Sequence, residues 1–74
     1  GRSLSTLRYE LQEVEVEIEK HALERDQYSA FLTDDSITHN SQQDMYRSLA
    51  STLERLENAE DRWLAISEEI EGRT

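Results

Sequence analysis

Leu4, Leu7, Leu11, Val14, Ile18, His21, Arg25, Tyr28 and Leu32 stand 3, 4, 3, 4, 3, 4, 3 and 4 residues apart. That is the a/d stripe of a coiled coil, sustained for about four heptads. It competes with a shorter signal. Glu13 to Glu19 reads EVEVEIE, the period-two alternation of a half-buried strand. The longer pattern governs: on a helix Val14 and Ile18 share the inner face, and Val16, about 200° from Val14, points outward. Glutamate and glutamine favour helix over strand as well.

A second stripe follows. Leu49, Leu53, Leu56, Ala59, Trp63, Ile66 and Ile70 are spaced 4, 3, 3, 4, 3 and 4, one helix face with a phase slip between Leu56 and Ala59. The segment between the stripes, Thr33 to Ser41, reads TDDSITHNS and is rich in residues that bond locally to backbone. The expected elements are a helix over about 4–32, a loop over 33–41 and a helix over about 42–71. Asn40 or Ser41 is the expected N-cap, with Gln43 or Asp44 as capping-box partner, and Gly72 the expected C-cap. Ile37 is expected to tuck over the hairpin end.

Two helices of about 43 Å joined by a short loop fold back antiparallel. The fold class is therefore all-α, a two-helix antiparallel coiled-coil hairpin over residues 1–74, expected to be a fragment of a larger protein. Pairing about residue 37 places Trp63 near Leu11, as the largest core residue, with Tyr9 and Tyr46 covering the stripe edges. It also brings Arg55 towards Glu17 and Glu19, Arg62 towards Glu10 and Glu13, and Arg8 towards Glu69. Such pairs relieve the repulsion within the glutamate run.

Composition narrows the function classes. There is no cysteine, so disulfides and Cys-based zinc sites are excluded, in keeping with a reducing compartment. No apolar run approaches the ~20 residues of a membrane span, and a cytoplasmic location is expected. Nothing resembles GxxxxGK[ST], and neither glycine, Gly1 or Gly72, could build a phosphate-gripping loop. The glutamate run reads as a solvated face, since acid–base work needs carboxylates in a pocket, which a hairpin is not expected to have. His39 with Asp34, Asp35 and Asp44 lacks metal-ligand spacing. The chain is expected to be non-enzymatic, without cofactor or metal. His21 and Arg25, on the seam, are read as register-setting polar residues and as possible contacts for a partner or a phosphate.

Three segments resemble the C-terminal coiled-coil domain of ABC-F proteins, tandem ATP-binding-cassette ATPases linked to ribosomes and, in one branch, to DNA. They are LSTLRYELQEVEVEIE (Leu4 to Glu19), LTDD (Leu32 to Asp35) and LENAEDRWL (Leu56 to Leu64). In the last, Leu56, Ala59, Arg62 and Trp63 fall where that domain's second helix carries them. The resemblance implies a hairpin attached to a larger ATPase and contacting ribosome or nucleic acid. The chain departs from the pattern at Glu15, where the family often has a helix-kinking proline. Seventeen acids against eight bases, a net charge of −9, also oppose a grip on phosphates. Arg2, Arg8 and the helix ends are the least hostile places for such contact. Trp63 with Ile66, Ile70 and Arg73, and His21 before them, are also similar to the last two helices of a spectrin-like repeat. That resemblance implies a piece of a cytoskeletal rod. A hairpin that binds a helical partner or self-associates into a four-helix bundle is the third reading.

Overall fold

Ser3 opens the first helix. Its backbone is extended and its Oγ accepts the Thr6 N–H at 3.2 Å, satisfying one of the amides a helix start leaves without partner. In the computed structural model, which describes residues 2–74 and leaves Gly1 outside, α1 runs Leu4–Leu32 and α2 runs His39–Glu71. Neither helix contains glycine or proline, and no strand forms among the described residues. EVEVEIE is helical throughout.

The turn is tighter than the sequence suggests. Thr38, not Asn40 or Ser41, caps α2: its Oγ1 accepts the Ser41 N–H at 3.2 Å, and the helix begins at His39 rather than near residue 42. Thr38 and Ser3 use the same device, a hydroxyl three residues before the amide it accepts, and neither first turn contains an acid. Residues 33–38 make the reversal. The Asp34 carboxylate accepts both the Ser36 N–H (2.9 Å) and the Ser36 hydroxyl (2.7 Å). These bonds favour the ionised form and hold the Asp34 carboxyl below its usual range. Half-buried Ile37 sits in this loop. At the far end Gly72 caps α2 with φ −66°, a right-handed conformation open to any residue, so the left-handed freedom of glycine is not used.

The two helices lie side by side in a rod of 53 × 14 × 13 Å, one helix long. Leu7 and Val14 of α1 meet Ala59 and Ile66 of α2 in the buried cluster, with Leu11, Ile18 and Ile70 packed against it. Each fully buried aliphatic side chain contributes about 1.5–3 kcal/mol relative to exposure. Leu4, His21, Arg25, Tyr28 and Leu32 complete the α1 stripe as half-buried residues.

The α2 stripe departs from the expectation at one position. Thr52 is buried, 2% exposed, and Leu53 faces outward at 45%. With Thr52 in place the row Met45, Leu49, Thr52, Leu56, Ala59, Trp63, Ile66, Ile70 has spacings 4, 3, 4, 3, 4, 3, 4, and the phase slip disappears. Helix geometry keeps the heptad continuous and accepts a threonine in the seam, because moving Leu53 inward would require local overwinding of α2.

Trp63 is the second correction. It lies on the row but is 36% exposed and outside the buried cluster; Leu7 is the largest side chain wholly shielded from solvent. Ala59, wholly buried one turn earlier, lets the helices approach closely, and an indole is too large to lie between them at that spacing. Tyr9 and Tyr46 do not cover the seam edges; both are well exposed.

Leu56→Ala is expected to cost about 2–5 kcal/mol, and Leu53→Ala no more than about 0.5 kcal/mol. Urea unfolding followed by circular dichroism measures both, and equal losses would place Leu53 back in the seam.

Candidate functional site

The heptad places charge beside the seam in columns. On α1, Glu10, Glu17 and Glu24 stand seven residues apart; on α2, so do Arg55, Arg62 and Glu69. In an antiparallel pair these columns meet along one edge. Arg62 pairs with Glu17, one heptad beyond Glu10 and one turn beyond Glu13, the partners expected for it. At the open end, Arg2 takes the place expected for Arg8: it pairs with Glu10 and, at 3.0 Å, with Glu69. One guanidinium thereby holds together two carboxylates that would otherwise repel across the edge. Among the described residues no ion pair involves Arg8 or Arg55.

The polar residues on the seam are also bound locally. His21 Nδ1 lies 2.9 Å from Glu24 Oε1. An ionised carboxylate only accepts, so this nitrogen carries the proton. Arg25 donates through Nε to Asp26 Oδ1 at 3.1 Å and remains partly in water. Arg2, His21 and Arg25 are thus each engaged by an acid of this chain; of the four expected contact residues, Arg8 alone has no acidic partner among the described residues.

His39 does not join Asp34, Asp35 and Asp44. Its Nε2 lies 3.2 Å from Gln43 Nε2. Among the described residues no three carboxylates or imidazoles come together as a metal site, and no helix is long and apolar enough to cross a membrane. Tyr9, on the outer face of α1, donates its phenol to Glu13, and that hydrogen bond, with the negative charge behind it, raises the tyrosine pKa.

The hairpin does have a concavity, contrary to expectation. Towards the loop end a shallow, open cleft of about 300 Å³ is bordered by Glu24 and Tyr28 of α1 and by Arg47, Ser51, Thr52 and Arg55 of α2. Here Thr52 stands in the seam column that Ile66 occupies in the other half of the rod, with the short side chains of Ser48 and Ser51 beside it. Arg47 and Arg55, two turns apart on α2, stand about 12 Å apart along the axis with Ser51 between them. Both are exposed, and neither is ion-paired among the described residues. The sequence signal was the i, i+4, i+8 series Arg47, Ser51, Arg55, hidden beside a seam whose register was set on Leu53.

Compared with protein-family models, curated proteins and solved structures, the chain matches none.

Arg2→Ala is expected to cost about 0.5 kcal/mol, more than Arg8→Ala, and the difference should shrink at about 1 M salt. Thermal unfolding of both variants at low and high salt measures it; equal effects would mean that the Arg2 bridge contributes nothing.

Proposed function

We propose that the chain is a non-catalytic coiled-coil contact module of a larger protein, the C-terminal hairpin of an ABC-F-type ATPase that assists contact with ribosome or nucleic acid in the cytoplasm. The observation that carries the reading is the pair of uncommitted arginines at the cleft. An overall charge of −9 repels a phosphate backbone at long range. Any grip therefore has to come from bases not neutralised by the chain's own acids. Arg47 and Arg55 meet that condition, with the Ser51 hydroxyl between them as a further donor to phosphate oxygen. The resemblance of LENAEDRWL supports the same reading: Leu56 and Ala59 lie in the seam and Arg62 tethers the helices.

A second reading is favoured by Tyr46 and Leu53, seven residues apart beside the seam of α2 and both exposed. In a spectrin-like repeat, or in a hairpin that self-associates, a further helix packs along such a pair. Sedimentation separates the two readings: the contact module stays monomeric, the rod fragment associates.

Gel-shift titration of the chain with duplex and branched DNA tests the first reading. Weak retardation is expected at about 50 mM salt and none at about 200 mM. Arg47→Ala with Arg55→Ala should weaken it across all sequences, and more than Arg8→Ala does. Absence of any shift at the lower salt removes nucleic acid from this segment.

A further inference from the structure

Val16, the residue that a helical EVEVEIE turns outward, has companions. Tyr9, Val16 and Leu23 are spaced seven residues apart and are 62%, 61% and 59% exposed. Each follows a seam residue (Leu7, Val14, His21) by two positions, so the row lies on the face of α1 opposite α2. Ala30 continues it. Seven residues are nearly two turns, so these side chains stand above one another about 10 Å apart. Isolated exposed apolar residues are ordinary, but a row at heptad period matches the stripe a second helix presents. The hairpin cannot cover it, because its own second helix is engaged on the far side of α1.

We propose that this outer face of α1 docks a basic amphipathic helix of a partner polypeptide. Charge selects the occupant. The row is flanked by Glu13, Glu15, Glu19 and Asp26, against Arg8 and Lys20 as the nearby bases. Asp26 is paired with Arg25; Glu13, Glu15 and Glu19 are in no ion pair among the described residues. A second copy of α1 would set these acids against their own counterparts, in a chain of net charge −9. Nucleic acid would meet the same repulsion and gains nothing from a valine and a leucine. A helix with lysine or arginine beside its apolar row meets opposite charge along the length of the face, as the flanking positions of paired coiled coils do. The face is separate from the Arg47–Arg55 cleft, so the inference stands apart from the nucleic-acid reading.

The test uses a labelled three-heptad amphipathic peptide with leucine in its stripe and lysine at the flanks, and its twin with glutamate at the flanks. Binding to the chain is read by fluorescence anisotropy. The lysine peptide is expected to bind and the glutamate peptide not. A Val16→Gln, Leu23→Gln variant keeps every charge, the seam and good helix formers, and should bind the lysine peptide at least about tenfold more weakly. Circular dichroism confirms that the variant is helical, and Val16→Ala with Leu23→Ala gives the same comparison if it is not. Equal binding by variant and parent chain would reduce the effect to bulk charge and overturn the proposal, as would no binding of the lysine peptide. Sedimentation showing a dimer that the variant loses would give the face to a second copy and overturn it equally.

Discussion

The close approach of the two helices at Ala59 is the constraint on which the remaining structure depends. Ala59 is wholly buried and has only a methyl group to place between the backbones, and Leu7, Val14 and Ile66 form the buried cluster with it. That spacing is what leaves Trp63 partly in water. It also brings the flanking columns within reach of each other, so that Arg62 meets Glu17 across the edge. Packing, exposure and edge electrostatics therefore have one origin.

Charge is distributed around that seam in two regimes. On the paired edge, acids of α1 are met by Arg62 of α2 and by Arg2 from the chain start. On the outer face of α1, Glu13, Glu15 and Glu19 are in no ion pair among the described residues. Exposed pairs add little stability individually, so the arginines matter more for register than for total energy. A one-heptad shift that moved Arg62 to Glu24 would set Glu17 against Glu69. The unmatched acids act on what approaches from outside: they favour bases and oppose phosphates.

The two ends of the rod differ in what they present. The half near the termini is filled by Leu7, Ile66 and Ile70 and closed by Arg2. The half near the loop has Thr52 in its seam and serines beside it, leaving a cleft with two arginines at its border. Stability is concentrated in the first half and unused hydrogen-bonding capacity in the second.

Much of this was legible before any coordinates. A 3-4 spacing is a local property of one helix, so the α1 stripe from Leu4 to Leu32, the helical state of EVEVEIE and the reversal near Asp34 follow from the residues themselves. The choice of Thr52 over Leu53 was half legible: heptad continuity backwards from Ile70 selects Thr52, while hydrophobicity selects Leu53, and geometry prevailed because a helix cannot slip one residue without overwinding. The exposure of Trp63, the partners of Arg2 and Arg62 and the cleft beside Thr52 were decided only in the folded hairpin. Each depends on how far apart the second helix lies and which residues it sets opposite. Those quantities belong to the pair of helices, and neither helix contains them alone.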